Sequence, residues 1–249
     1  MLLRRLAAGR PAAVAHALLA LLTAVALLTV AGAQAADVGG FALFDYLKGL
    51  NSLSTQFTQT VTDAHGLQAE AGSGTLQVQR PNRFRWDYRP NTPSGSASTG
   101  ASSGAAPSPD AASADDSGQL MVADGKNLWF YDRELAQVTV KPITVALSST
   151  PIMLLSSSPE QLRETFDLTP GGTHDGLLWV QVKPHSASAD FSRAELGFEA
   201  QRLARMIIHD NLGQTVRLDF QHAERNATLP PTLFEFKSPA GVDVIGTPH

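Results

Sequence analysis

The side chains that could bind a metal ion or transfer a proton are scattered along this sequence. Six histidines follow the N-terminal region, and no two of them have the H-x-x-x-H or H-E-x-x-H spacing that places two ligands on one helix face. They are His65, His174, His185, His209, His222 and His249. The chain has no cysteine, which excludes a thiol nucleophile, a thiolate metal site and a disulfide framework. We therefore expect neither a metal ion nor another cofactor.

Two short patterns look like parts of a catalytic site, and both fall in one low-complexity segment. Residues 91–118 contain 22 Ser, Ala, Gly or Pro among 28 positions and no aromatic or branched aliphatic side chain. Residues 100–104 match G-x-S-x-G, but a nucleophile elbow needs a strand before the serine and a helix after it. The adjacent Asp115 and Asp116 are more typical of solvated charge than of an acid/base pair. We predict no catalytic residue, and a disordered loop over 91–118, because the segment cannot offset its ordering entropy by burial.

Arg80 is the charged residue with the most unusual expected position. It follows Leu76 and Val78 at a spacing of two, so a continuing strand would turn it toward the apolar face. A guanidinium there needs acceptors for its five N–H donors, and backbone carbonyls would suit it. Each such bond contributes about 1.5–3 kcal/mol because the donor is charged. The alternative is that the strand ends at Pro81 and Arg80 turns to solvent, and the sequence favours neither outcome.

Most of the remaining chain has the period-two spacing of strands that bury one face. The runs with this spacing are Phe57, Gln59 and Val61; Leu76, Val78 and Arg80; Phe84, Trp86 and Tyr88; Val138 and Val140; Val216, Leu218 and Phe220; and Phe234 and Phe236. Turn signals such as Asp124-Gly125 separate many of them. Short strands joined by short turns predict a mainly β fold, in which one antiparallel sheet of about ten strands curls into a barrel or part of one.

Three segments have helical signals instead. Residues 41–50 repeat leucine at helical spacing, and residues 150–155 combine a Thr-Pro start with an apolar run. Ser158 and Gln161 have the spacing of a capping box. These helices need apolar surface to cover, and the concave side of a curved sheet offers it. We therefore expect a sheet with helices laid across its opening.

The first 35 residues have the layout of a secretory signal peptide. Three arginines precede an apolar run over 11–30, and residues 33–35 read Ala-Gln-Ala, which fits the A-x-A cleavage pattern. The alternative is an uncleaved anchor, because about 20 apolar residues can span a bilayer. Cleavage after Ala35 leaves a single domain over 36–249, and the loss of the three arginines changes the formal net charge from −4 to −7. This acidic balance argues against nucleic-acid binding.

Several segments taken together resemble the LolA family of periplasmic outer-membrane lipoprotein carriers. They occur in order along nearly the whole chain after the signal: 57–63 (FTQTVTD), 74–76 (GTL), 80–86 (RPNRFRW), 124–132 (DGKNLWFYD), 150–155 (TPIMLL), 234–236 (FEF) and 239–244 (PAGVDV). The resemblance implies an incomplete, half-open antiparallel β-barrel covered by a helical lid, a hydrophobic cavity enclosed by the lid, and no enzymatic activity. The segment 91–118 is longer than the family's usual turn at that place.

The resemblance also implies roles for individual residues. Arg80 matches the family arginine that fastens the lid in the closed state, with partners near Leu47, Leu155 and Ser156. The residues that match lipid-binding cavity positions are Leu43, Leu47, Phe84, Trp86, Ile152, Met153, Leu154 and Leu155. Ordinary core packing is the alternative for five of them, since a cavity lining and a core look alike in sequence: Phe84, Trp86, Ile152, Met153 and Leu154.

For such a carrier the resemblance implies a route and partners. A monomer in the periplasm would take triacylated lipoproteins released by the inner-membrane transporter LolCDE and deliver them to the outer-membrane receptor LolB. LolB shares the fold but needs a lipidated cysteine after its signal peptide, and this chain has no cysteine. Two other possibilities stay open: a LolA-like carrier of another lipid or amphiphile, and a periplasmic lipid hydrolase, for which the sequence offers no credible nucleophile.

Overall fold

The computed structural model of this chain describes residues 38–91, 117–146 and 151–249. The predicted signal peptide, the predicted loop residues 92–116 and Thr150 lie outside these ranges. The elements in chain order are α1 (Val38–Leu47), β1 (Ser52–Thr62), β2 (Gln68–Gln79), β3 (Arg83–Pro90), β4 (Gln119–Asp124), β5 (Asn127–Asp132), β6 (Gln137–Pro142), α2 (Ile143–Ala146), α3 (Met153–Ser156), α4 (Pro159–Thr165), β7 (Phe166–His174), β8 (Leu177–Pro184), β9 (Phe191–Glu199), β10 (Arg202–Asp210), β11 (Thr215–Arg225), a 3₁₀ helix (Pro231–Phe234) and β12 (Asp243–Ile245).

Twelve strands of the described ranges form one sheet, and the sheet does not close. Its order is β12-β6-β5-β4-β3-β2-β1-β11-β10-β9-β8-β7, so β12 and β7 are the two edges. The neighbours are antiparallel except β12, which lies parallel to β6. β1 pairs with β2 on one side and with β11 on the other, which joins the two halves of the sheet. The prediction of a mainly β, open antiparallel sheet is confirmed.

The sheet curves around one apolar core, because alternate residues of its strands point inward. Leu76 lies opposite Trp86 in the β2–β3 pair, and the rings of Phe57 and Trp86 stack with their centroids 3.9 Å apart. Val182 of β8, in the other half of the sheet, belongs to the same buried cluster. Strands from both halves can share one core only if the sheet bends.

The α-helices pack against this inner face. α1 buries Leu43 and Leu47 in the shared cluster and lies against β7 and β8, beginning at Val38 rather than at the predicted residue 41. α4 has the predicted capping box: the Gln161 amide donates to Ser158 Oγ at 3.2 Å, and the Ser158 amide donates to Gln161 Oε1 at 3.0 Å. These bonds satisfy amides that a first helical turn leaves free.

The C-terminal segment contradicts the prediction of a strand at Phe234 and Phe236. Two consecutive prolines remove amide donors and restrict φ, so Pro231–Phe234 form a 3₁₀ helix instead. Phe234 is buried, and Phe236 stacks on Trp129 with ring centroids 5.2 Å apart. The spacing of the two phenylalanines therefore reflects packing against the sheet rather than pairing within it.

The Asp124 carboxylate organises the turn between β4 and β5. Its Oδ1 accepts from the amides of Lys126 and Asn127, both at 2.7 Å, and its Oδ2 accepts from the Trp129 indole at 2.8 Å. Gly125 has a φ of 98°, which residues with a side chain rarely adopt. Burial alone would raise the pKa of Asp124, but the hydrogen bonds outweigh it and hold the pKa below its ordinary 3.8. Local hydrogen bonding and the backbone conformation at Gly125 thus explain why aspartate, glycine and tryptophan occur at these positions of the Asp-Gly-Lys-Asn-Leu-Trp segment.

We expect Asp124→Asn to lower the free energy of unfolding by roughly 1–2 kcal/mol at neutral pH, because the hydrogen bonds lose a charged acceptor. A carboxyl whose pKa is depressed by folding contributes stability above its unfolded pKa and loses it as pH falls through the folded value. The deficit of the variant should therefore be complete above about pH 5 and shrink below about pH 4.

Urea unfolding of the wild type and of Asp124→Asn across this pH range measures the difference between their free energies of unfolding. Asp45→Asn, at an exposed carboxylate of α1, is the matched control and should change little. A deficit for Asp124→Asn that persists unchanged at low pH would contradict the assignment.

Candidate functional site

Arg80 lies just beyond β2, where its side chain reaches the ends of two helices. Its amide donates to Asn51 O at 2.9 Å, which fixes its backbone beside the start of β1. Nη1 donates to Leu47 O at 2.8 Å, at the C-terminus of α1, with a longer bond to Leu50 O at 3.4 Å. Nη2 donates to Ser157 O at 2.7 Å, directly after α3. One guanidinium thus bonds two helix ends that are far apart in sequence.

These contacts locate Arg80 and refine its expected partners. Its side chain is partly buried and does not turn away to solvent. The α1 carbonyl is the one expected, whereas the carbonyls of Leu155 and Ser156 do not accept from it. Ser156 O is occupied by the Asn82 amide at 3.0 Å. Because α3 ends at Ser156, the carbonyl of Ser157 lies outside the helix and takes this place.

The surroundings of Arg80 suit a guanidinium that keeps its charge. Carbonyls at a helix C-terminus carry partial negative charge, which favours a cation. Burial lowers the pKa of Arg80 from its ordinary value, and the Glu160 carboxylate at the start of α4 opposes this effect. Arginine stays protonated in proteins, so the bonds to Leu47 O and Ser157 O are charge-assisted and do not vary with pH near neutrality.

The eight apolar residues assigned to a lipid-binding cavity lie together in the buried cluster. They come from α1, β3 and the segment containing α3: Leu43, Leu47, Phe84, Trp86, Ile152, Met153, Leu154 and Leu155. Trp86 is the most exposed of them, at 6%. In this conformation they pack against one another and against the sheet, as core residues do. Their role as a lipid-binding surface remains a prediction.

A second arginine, which sequence reasoning missed, holds α1 from another strand. Arg225 Nη1 donates to Tyr46 O at 2.7 Å, and its guanidinium lies over the Tyr46 ring, 4.7 Å from the centroid. The adjacent Asn226 donates from Nδ2 to Gly49 O at 3.0 Å. The C-terminal end of α1 is therefore bonded to the ends of both β2 and β11, the two strands that flank β1.

A β-bulge explains why the role of Arg225 could not be predicted from the spacing of residues along β11. Leu53 lies opposite Arg225, and Phe57 lies opposite Phe220, so β11 has one more residue than β1 over this stretch. If side chains alternated regularly along β11 from Phe220, Arg225 would point to the outer face of the sheet. The extra residue brings it to the inner face beside Leu53.

An apolar cavity of about 350 Å³ remains on the inner face of β4, β5 and β6. Its volume is near the lower end of ligand pockets, which span roughly 300–1,000 Å³. Its lining residues are Met121, Leu128, Phe130, Thr139, Lys141, Pro151 and Asp190. Pro151 precedes the predicted cavity position Ile152 in the chain, and Met121 lies opposite another, Trp86. In the sequence, the period-two spacing of Leu128 and Phe130 could have indicated this cavity. That spacing places both side chains on the sheet face opposite to Trp129.

The described residues offer little for other chemistry. Over 38–91, 117–146 and 151–249, no three His, Asp or Glu side chains come together in a way that could hold a metal ion. His185 is exposed, with Nε2 2.9 Å from Asp167 Oδ1 and Nδ1 3.0 Å from Glu164 O. The hydrogen bond to Asp167 and then that to Glu164 raise the pKa of His185. Across the same ranges, no helix combines the length and apolar character needed to cross a membrane.

We expect Arg80→Leu to increase amide hydrogen exchange in residues 152–157 by on the order of tenfold or more, because each lost bond contributes about 1.5–3 kcal/mol. Peptides from β8 and β9 should exchange as in the wild type. Hydrogen-exchange mass spectrometry measures both. Arg225→Leu is the matched control: that arginine bonds α1 alone, so residues 152–157 should keep their protection. Unchanged exchange in Arg80→Leu would show that Arg80 does not restrain α3.

The sequence is similar to known proteins along most of its length. The family model described as outer membrane lipoprotein carrier protein LolA matches residues 48–101 and 113–237. Three relatives share the name outer-membrane lipoprotein carrier protein. The one from Chromobacterium violaceum is 36% identical, over 90% of this chain and 96% of the relative. Those from Methylobacillus flagellatus and Dechloromonas aromatica are each 34% identical, the first over 92% of this chain and 98% of the relative, the second over 82% and 86%. The chain therefore belongs to the LolA family of outer membrane lipoprotein carrier proteins.

Proposed function

We propose that this chain carries triacylated lipoproteins through the periplasm, from the inner-membrane transporter LolCDE to the outer-membrane receptor LolB. The shared name of its relatives supports the cargo. The observation that carries the proposal is that Arg80 bonds the ends of two helices that pack on the apolar cluster. A carrier needs an apolar interior that can be uncovered, and helices held by a few polar bonds can act as its lid.

The mechanism is a shift of population between a closed and an open state. Entering acyl chains replace the apolar contacts of the helices, so the main net cost of opening is the loss of the polar bonds at the helix ends, and only Arg80 among the residues named above bonds both α1 and the residue after α3. The short bonds to Leu47 O and Ser157 O together oppose opening by about 3–6 kcal/mol, which roughly four to eight newly buried methylenes offset at about 0.8 kcal/mol each. Longer acyl chains therefore favour the open state, as a ligand must when it prefers one conformer.

The same hydrogen bonds of Arg80 form again when the cargo is released. The carbonyls of Leu47 and Ser157 regain the N–H donors of Arg80 when the helices close, so Arg80 favours release whenever another apolar site competes for the cargo. A receptor cavity that is more hydrophobic than this one would complete the transfer. We further propose that residues 1–35 direct export, and that the mature chain works as a monomer. Its formal charge of −7 opposes adsorption to anionic membranes.

A LolA-like carrier of another amphiphile is the second candidate function. The cavity on β4–β6 has Lys141 and Asp190 among its lining residues. These side chains bear opposite charges, and such a pair is complementary to a zwitterionic head group. Neither candidate requires a bond to be made or broken by the protein.

We expect the purified mature protein to release newly made lipoproteins from spheroplasts, and Arg80→Leu to release them equally well. Transfer from Arg80→Leu to LolB should fall by about tenfold or more, because the variant loses polar bonds that favour reclosing. Immunodetection of lipoprotein in the carrier and receptor fractions measures both steps. Arg202→Leu, at an exposed position where β10 begins, is the control and should behave as the wild type.

Equal transfer by Arg80→Leu would rule out this role for its hydrogen bonds. If the wild type released no lipoprotein but bound another lipid, the second candidate function would be favoured.

A further inference from the structure

A second cavity, of about 500 Å³, lies at the end of the sheet from which Arg80 reaches the helices. Its lining comes from the β2–β3 turn (residues 79–83), from Gly125 in the β4–β5 turn, and from Leu229, Pro231 and Phe234 near the C-terminus. We call it the turn cavity. None of the eight residues predicted to bind lipid lines it, so the carrier function does not explain it.

The lining of the turn cavity is positively charged. It contains two arginines, Arg80 and Arg83, and no aspartate, glutamate or lysine. The Nη1 and Nη2 groups of Arg80 are bonded to neutral carbonyls, Leu47 O and Ser157 O, so its charge is not cancelled by a carboxylate. A concave site lined by charges of one sign attracts ligands of the opposite sign. The turn cavity therefore favours an anion.

Arg83 has no counterion in the described part of the chain. Asp124 lies opposite it in the β3–β4 pair. The Asp124 carboxylate, however, accepts from two amides of its own turn at 2.7 Å and from the Trp129 indole at 2.8 Å. Among the described residues, none forms a hydrogen bond or an ion pair with the side chain of Arg83. Its guanidinium is thus available to a ligand.

The Arg83 side chain extends along the wall of the turn cavity. It is exposed, and a Cβ placed on Gly125 would lie 3.4 Å from Arg83 Nε, so the guanidinium passes close to the backbone of the β4–β5 turn. Its neighbour across the β2–β3 pair is Gln79, which also lines the cavity. A guanidinium presents paired N–H donors that match the two oxygens of a carboxylate. Arg83 can therefore bind a carboxylate through two parallel hydrogen bonds.

The remaining lining residues indicate what carries this carboxylate. Leu229 is half-buried, Pro231 is exposed and Phe234 is buried, so this part of the lining is apolar. The cavity volume is within the roughly 300–1,000 Å³ of ligand pockets. A peptide segment with acidic and apolar side chains side by side would satisfy both parts of the lining. A lipid bilayer presents its phosphates on a broad surface, whereas a recess between turns admits a single protruding chain.

We propose that the turn cavity binds an acidic segment of a partner protein, with a carboxylate on Arg83 and an apolar side chain against Leu229 and Pro231. The inference goes beyond the proposed function, because the cavity shares no residue with the predicted lipid-binding surface. The partner contacts the carrier at the turn from which Arg80 holds both helix ends.

The test measures the fluorescence anisotropy of a fluorescein-labelled peptide of alternating leucine and glutamate with blocked termini, titrated with the purified mature protein at constant ionic strength. The wild type should bind this peptide on the order of tenfold more tightly than a matched peptide in which glutamine replaces glutamate, because charge-assisted bonds to Arg83 are lost. Arg83→Gln should abolish that preference.

Arg85→Gln is the matched control. Arg85 is the next outward residue of β3, its Nη2 lies 3.6 Å from Asp87 Oδ2, and it does not line the turn cavity. It should keep the preference of the wild type. Leu229→Ser tests the apolar part of the site and should weaken the binding of both peptides severalfold while the preference for glutamate stays. Thermal unfolding of each variant shows that it is folded.

The inference fails if the wild type binds both peptides equally, if Arg83→Gln keeps the preference, or if Arg85→Gln loses it to the same extent. It also fails if the wild type binds vesicles of phosphatidylethanolamine and phosphatidylglycerol but not the peptide, and Arg83→Gln no longer binds the vesicles, since the ligand would then be a lipid surface. Peptide binding involves no lipoprotein. A negative result here would therefore leave the proposed function intact, and a failure of lipoprotein release would leave this inference intact.

Discussion

The guanidinium of Arg80 can stay partly buried only while oxygen atoms satisfy its N–H groups, and those oxygens are backbone carbonyls at two helix ends. This requirement brings the end of α1 and the residue after α3 to one point beside β2. Arg225 imposes a similar requirement on Tyr46 O from β11. The strands β2, β1 and β11 are neighbours in the middle of the sheet. The helices are thus fastened where the sheet has paired strands on both sides, and not at its free edges.

Using carbonyls as acceptors has a consequence for the covering helices. Every residue has a carbonyl, and the last carbonyls of a helix have no partner within it. The helices therefore need no polar side chain on the face that meets the sheet, and that face can be leucine, isoleucine and methionine throughout. Under the proposed function, acyl chains and helix side chains would compete for equivalent apolar surface. The polar bonds of Arg80 would then decide which state is favoured when the apolar contributions are nearly equal.

The inner face of the sheet was predictable from the sequence where the alternation is regular. Phe84 and Trp86 share one face, and Arg80 keeps the inward direction indicated by its spacing even though β2 ends at Gln79. The failures have local causes. A bulge reverses the expected side of Arg225, and consecutive prolines turn a period-two pair of phenylalanines into a 3₁₀ helix. The identity of the accepting carbonyl depends on Asn82, which occupies Ser156 O, and no spacing rule contains that information.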